Sequence, residues 1–266
     1  MYKNRDHFYY KILPKRIKSK DASILVCGGG HKDKEVFLAN GYKNVTISNI
    51  DPRVSENDFL PYQYKHEDFN KLSFKESSYD YVVIRDAIHH SDKPLQTLLE
   101  LYKVAKIGLL GFESRDSLII RLLTKMKLSD DYEHIAVFYN DCKYGGVNNT
   151  SIPNYVYRWT ERELMKTIKS YSPEYMHEFK FDYGSAYPAT PSFKKNNLPK
   201  LVLLSVAKPF YIIFSKIFYK QQNQFSFFIL KPQNDKNLFP WIERDHETKD
   251  LTFNKTWGEN IYKKQK

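Results

Sequence analysis

Short unbroken apolar runs alternate with amphipathic stretches over the first half of the chain. Ile24-Leu25-Val26-Cys27 is one such run, the pattern of a strand covered on both faces, and predicts a first strand over 23–27. A helix-period stretch over 31–40 follows, closed by Gly41 as a C-terminal cap. Further apolar runs predict strands over 45–50, weakly over 62–66, and over 79–84. Asp92-Lys93-Pro94 offers a capping acid and an early proline, predicting a helix to about residue 105, then a fifth strand over 108–112. A short helix over 5–17 leads the chain. Strands alternating with helices imply a parallel, doubly wound sheet with helices on both faces.

The pattern changes after Glu113. Residues 115–127 keep a helical period, and 129–157 form a long polar and aromatic stretch with Gly145-Gly146 and Asn148-Asn149. A connection of that length inside a compact domain usually carries function. Thr160-Glu161-Arg162-Glu163 reads as a capping box opening a helix to about residue 170. Strand candidates over 175–182 and 225–230 would complete a mostly parallel, seven-stranded sheet as its antiparallel edge, with an inserted lid after strand five. The expected division is a main domain over 1–232, with a cofactor half (20–115), a substrate-side insertion (116–158) and the remainder of the sheet and lid (159–232). A polar C-terminal arm follows over 233–266.

Composition narrows the classes. The 266 residues are 41% apolar and 16% aromatic, enough for a full core. Lys and Arg number 42 against 31 Asp and Glu, a net charge of +11 that suits an anionic partner. The charge is scattered, however, without an arginine stripe interleaved with aromatics, so nucleic acid is disfavoured. Two scattered cysteines, Cys27 and Cys142, make neither a disulfide framework nor a metal site, and no metal is expected. The basic N-terminus lacks an apolar core, which points to the cytoplasm. Residues 201–219 are apolar and of spanning length, but Lys208-Pro209 interrupts them. They read as a broken pair of core or lid helices, with an interfacial helix as the other reading.

Gly28-Gly29-Gly30 at a strand-to-helix turn lets a ligand approach the backbone and leaves helix N–H groups free for an anion. The third glycine of a dinucleotide turn is replaced by Asp33, which would repel a pyrophosphate, and no G-K-[ST] follows. The second strand ends toward Asn49 and Asp51, either of which can meet ribose hydroxyls. Glu67-Asp68-Phe69 precedes Leu72-Ser73-Phe74, and Ser78-Tyr79-Asp80 follows in register.

Together these segments resemble a class I S-adenosylmethionine-dependent methyltransferase, of the type 11 kind. Its pattern D-x-x-x-L-P-F…s-F-D is similar to Asp68 through Asp80, and its post-strand-four motif to Arg85-Asp86-Ala87-Ile88-His89-His90. The resemblance implies a Rossmann-like fold, S-adenosylmethionine as cofactor and a methyl-transfer activity. It implies cofactor contacts at Gly28, Gly29, Gly30, Asn49 or Asp51, Asp68 on the adenine amine, the backbone of Phe69, and Arg85. Two positions depart from the family: Val26 stands where an acid is usual and Lys32 where the last glycine is, with Asp33 or His31 as candidate compensation near the methionine end.

Methyl transfer to a hydroxyl asks for a base, and His89 and His90 lie at the carboxyl edge where open α/β sheets place ligands. Sequence does not separate the two. Glu113, Arg115, Tyr144, Asn148, Asn149, Tyr155 and Arg158 are the substrate-side candidates, because aromatics with amides suit a sugar or another polar metabolite. The expected activity is O-methylation of a small-molecule or glycan-like acceptor, phosphorylated or lipid-linked variants included, with peripheral membrane contact through residues 201–219. RNA methylation and a non-catalytic cofactor-binding protein are the alternatives; no Asn-Pro-Pro-Tyr element supports amino-purine methylation.

Overall fold

The computed structural model describes residues 4–127, 129–185 and 198–263. Seven strands form one sheet: β1 Ile24–Cys27, β2 Val45–Asn49, β3 Gln63–His66, β4 Tyr79–Arg85, β5 Ala105–Ser114, β6 Glu178–Gly184 and β7 Gln224–Leu230. Their order is β3-β2-β1-β4-β5-β7-β6. The first five run parallel, β7 is antiparallel to β5, and β6 is antiparallel to β7. This is the doubly wound, mostly parallel architecture that the alternation of runs implies.

Period-two burial sorts the core into two layers. Ile24, Val26, Ile47 and Val83 face α1 (Asn4–Arg16) and α2 (His31–Ala39), packing with Tyr9, Leu13, Val36 and Phe37. Leu25, Cys27, Val82 and Ile84 face the other way, onto Leu98 and Leu101 of α3 (Pro94–Val104) and Leu164 and Ile168 of α6 (Glu161–Tyr171). Gly111 on β5 leaves room for the Phe227 ring of β7, which a Cβ would meet at 2.0 Å. Asp80 locks the start of β4 to β1 by accepting from the Ser23 amide and hydroxyl, both at 2.9 Å. Asp182, buried on β6, binds Lys15 and Arg16 and so ties α1 to the antiparallel edge.

Three local expectations need correction. Asp92 does not cap α3: its N-cap is Lys93, whose amide binds the Ser91 hydroxyl at 2.9 Å. Residues 198–217 are not a broken pair but one helix, α7 (Leu198–Ile217), which runs through Pro209. Val206, Phe210, Ile213 and Ile217 on it are exposed, so water can replace the hydrogen bond that the proline removes. Among the described residues no helix is long and apolar enough to cross a membrane. The segment after Pro232 is not merely an arm: β8 (Ile242–Arg244) pairs with β9 (Leu251–Phe253), α8 (Lys255–Tyr262) follows, and Phe239 stacks on Trp241.

Between β5 and α6 the inserted segment carries α4 (Leu118–Lys125), α5 (His134–Phe138) and a 3-10 turn at Val147–Asn149. It crosses the carboxyl edge of the parallel strands, and that places the site.

Candidate active site

The glycine turn leaves β1 with Gly28 at φ +63°, a left-handed conformation that disfavours other residues. A Cβ at Gly30 would meet no heavy atom within 4 Å, so the turn is open on its outer side. Gly30 caps α2, and its amide donates to the Asp33 carboxylate at 2.9 Å. Asn49 donates to the Gly29 carbonyl at 2.8 Å and accepts from the Asp51 amide at 2.8 Å, so it braces the turn against the end of β2. Asp51 holds Arg53 through both carboxylate oxygens, which keeps its carboxyl below the usual range.

On the neighbouring strand β3 the chain continues to Asp68, whose Oδ1 accepts from the Asn70 amide at 2.9 Å. Phe69 turns inward, its ring beside Gly28 and its side chain buried. The glycine turn, Asp51 and Asp68 thus sit at the carboxyl ends of three adjacent strands. Two acids at strand ends beside a glycine turn that is open at Gly30 suit a nucleoside with vicinal hydroxyls and an exocyclic amine.

The insertion roofs this edge. Tyr144 stacks its ring on the Arg53 guanidinium at 4.5 Å, and Asn140 accepts from the same group at 2.9 Å. Asn148 accepts from the Asn70 side chain at 3.1 Å. Gly146 brings its carbonyl to 3.3 Å from His90 Nδ1, and Asn154 donates to the His89 carbonyl at 3.1 Å. Asn149 turns back on its own loop, accepting from the Gly145 amide.

At the end of β4 the chain makes a tight turn through His89 and His90, with Glu113 of β5 beneath it. Glu113 Oε1 accepts from the Ala87 and Ile88 amides, and Oε2 meets His89 Nδ1 at 2.6 Å. Glu133, from the insertion, places Oε2 at 3.5 Å from His89 Nε2 and 3.3 Å from His90 Nε2. Burial opposes charge on His89, yet the Glu113 carboxylate, then Glu133, outweigh it and raise the imidazole to about 10. Burial and the adjoining His89 ring push His90 down. Burial would raise Glu133, but hydrogen bonding and charge from the two histidines bring it to about 2. Asp86 alongside is pushed up, by burial above all.

Other candidates lie elsewhere. Arg85 turns under the sheet edge to Asp6 of α1 at 2.9 Å and lies over the Tyr9 ring. Its Nη1 and Asp33 Oδ1 are buried without hydrogen-bond partners. Burial first, and only partly offset by Arg85, pushes the Asp33 carboxyl up. A small cavity beside Arg85 is lined by Arg5, Tyr9, Asp86 and Glu113 among others. His31 stacks on Phe59 instead of entering this group. Arg115 is held by Glu161 at the start of α6, and Arg158 by Asp131 within the insertion. Tyr155 is exposed against Tyr132. Sequence reading missed Glu133, Asn70, Arg53 and Asn154. Glu133 and Asn154 lie within the long polar stretch, where nothing in their spacing marks them.

Residues 25–110 match the family model described as a methyltransferase domain. No curated protein matches the sequence. Among solved structures, the chain is similar to one in the complex between the Haloferax volcanii Trm112 methyltransferase activator and a methyltransferase (14% identity, TM-score 0.53, 87% of this chain and 91% of that one). It is also similar to an S-adenosylmethionine-dependent methyltransferase of Methanosarcina mazei (17% identity, TM-score 0.51, 84% and 98%). A Pyrococcus horikoshii protein gives 13% identity and a TM-score of 0.51, over 86% and 89%. At such identities these structures speak for the fold alone. Residues 25–110, most of the parallel half-sheet, are matched as a methyltransferase domain within a fold shared with S-adenosylmethionine-dependent methyltransferases, and that match supports S-adenosylmethionine as the cofactor.

Proposed function

We propose that the protein transfers a methyl group to an oxygen of a small polar acceptor, glycan-like in its hydroxyls, held against the His89–His90–Glu133 cluster. The observation that carries this reading is the single roof over the whole edge, which joins Arg53, Asn70 and His90 through Asn140, Asn148 and Gly146. The cofactor supplies a sulfonium methyl open to in-line displacement. The chain's part is alignment in a site closed to water.

Within that reading Asp68 accepts from the adenine amine while Asp51, released in part from Arg53, accepts from the ribose. The left-over Arg85 Nη1 and Asp33 Oδ1 suit the charged amino-acid end. Tyr144 and Asn148 face the acceptor from the insertion. The segments 20–115, 116–158 and 159–232 then act as cofactor half, cover and sheet completion, with 233–266 appended. The free cysteines, one of them the exposed Cys142, accord with a cytoplasmic setting. The exposed apolar row of α7 supports an acceptor presented at a membrane surface, lipid-linked forms included. Arg53, Arg85, Arg115, Arg121 and Arg158 each pair with a carboxylate, which leaves the RNA reading without a free arginine face in that set.

Isothermal titration with S-adenosylmethionine, followed by labelled-methyl transfer across sugars, sugar phosphates, small phenols and RNA, tests the proposal. Transfer to a hydroxyl compound supports it. Binding without any transfer, or transfer to RNA alone, overturns it.

A further inference from the structure

The His89–His90–Glu133 cluster contains more acceptors than donors. Glu113 is held by two backbone amides through Oε1, so its Oε2 is fixed against His89 Nδ1 at 2.6 Å. A carboxylate only accepts, so Nδ1 carries the proton and a neutral His89 presents a bare Nε2. The Gly146 carbonyl imposes the same tautomer on His90, with Nδ1 donating at 3.3 Å and Nε2 bare. Both Nε2 atoms face one oxygen, Glu133 Oε2, at 3.5 and 3.3 Å, so without an ion an additional proton must sit between them. In the other tautomer of His90, the lone pair of Nδ1 would oppose the Gly146 carbonyl instead. A single proton on His89 relieves one of these contacts and leaves His90 facing the carboxylate. The His89 and His90 rings, 4.7 Å apart, disfavour a charge on each.

A divalent cation relieves all of them at once. Ligand atoms about 2.0–2.2 Å from a tetrahedral ion stand roughly 3.3–3.5 Å from one another, close to the separations found here. The three ligand atoms all lie within 4.8 Å of one another. Each imidazole already donates its far N–H to a carboxylate or a backbone carbonyl, the support that metal-bound histidines take. Asn154, buried, donates to Glu133 at 3.4 Å while its Oδ1 has no hydrogen-bond partner, an acceptor suited to an ion-bound water.

We infer that His89 Nε2, His90 Nε2 and a Glu133 carboxylate oxygen form a binding site for one divalent transition ion of the zinc type. Glu113 and Gly146 act as positioning groups behind the ligands. Two nitrogens and one oxygen suit a borderline ion better than magnesium or calcium. Three protein ligands leave a position open for water or an acceptor oxygen. That the ion would serve the acceptor rests on the proposed transferase reading; the binding itself does not.

The test uses the full chain, stripped with chelator and titrated with CoCl2 and with ZnCl2. One ion per folded chain is expected, with the visible d–d absorption of low-coordinate cobalt. Glu133→Gln and His90→Asn should each weaken binding at least 10-fold, and Glu113→Gln roughly 10–100-fold through lost support. His246→Ala, in the C-terminal unit, should leave it unchanged. Glu133 is half-buried on the insertion, so Glu133→Gln keeps the test valid if a histidine variant misfolds; circular dichroism checks this. Failure of wild type to bind one ion, or wild-type affinity in folded Glu133→Gln, overturns the inference. S-adenosylmethionine binding measured on the same samples reports separately on the transferase reading.

Discussion

Asn148 of the inserted segment accepts a hydrogen bond from Asn70, two residues past Asp68, at 3.1 Å across 78 positions of sequence. This contact pins the cover to the strand end where the adenine is expected. Asn148 has φ 49°, so the chain at this point is left-handed and tolerates Asn or Gly. Asn148→Gly keeps the backbone and removes the amide. It should weaken S-adenosylmethionine binding about 2–12-fold, the equivalent of one hydrogen bond, chiefly through faster release. Stopped-flow dissociation measures it, and an unchanged off-rate would mean that the latch does not hold the cofactor.

Asp68 is a direct contact in the same account. Asp68→Ala should cost about 1–3 kcal/mol of cofactor affinity, the loss expected when a buried donor keeps no partner. Calorimetric titration decides it, with an unaltered dissociation constant removing Asp68 from the site.

Asp182 is 7% exposed and answers both Lys15 and Arg16, which makes it the anchor of α1 on the antiparallel edge. Removing it strands a partly buried guanidinium. Asp182→Ala should lower unfolding free energy by about 3 kcal/mol. Urea unfolding tests this, and a change below about 0.5 kcal/mol, the size of an ordinary surface substitution, would show that α1 docks through its apolar face alone.

His177 joins α3 to the start of β6. Its Nε2 meets the Tyr102 hydroxyl at 2.7 Å and its Nδ1 the Tyr175 carbonyl at 3.1 Å, a set that suits the neutral ring. Burial, above all, pushes its pKa down. The folded state therefore binds fewer protons than the unfolded one, and stability rises with pH. Its contribution is complete above the ordinary histidine value of about 6.5 and is lost as pH falls toward the lower folded-state value. His177→Gln should flatten the unfolding free energy between about pH 5 and 7 relative to wild type. An equal slope in both proteins would contradict the assignment.

What could be seen in the sequence was what is local. The glycine turn, the acids after β2 and β3 and the capping box at Thr160 are set by neighbours a few residues away, and each lies where its pattern implied. The mostly parallel seven-stranded sheet with an antiparallel edge followed from the alternation of runs and the two late strands, whereas the strand order came from the structure. Contacts that depend on the path of the insertion were hidden. Glu133 meets His89 only because residues 129–157 cross the sheet edge. Arg85 reads as a cofactor ligand by position, but that Asp6 and Tyr9 of α1 hold its guanidinium was hidden. Pro209 misled because a helix-breaking residue is tolerated where the helix lies exposed to water.

On the proposed function, the open side of the glycine turn cradles the cofactor. Gly30 has φ −127° and empty space where a Cβ would stand, so a side chain there disturbs a ligand and little of the protein. The direct measurement is calorimetric titration of S-adenosylmethionine into wild type and Gly30→Leu, with thermal unfolding of both. One site per wild-type chain is expected, with loss of binding by more than about 100-fold (about 2.7 kcal/mol) in the variant and a stability change of about 1 kcal/mol or less from the altered helix cap. Equal affinity in a folded Gly30→Leu, or no binding to wild type, would contradict it.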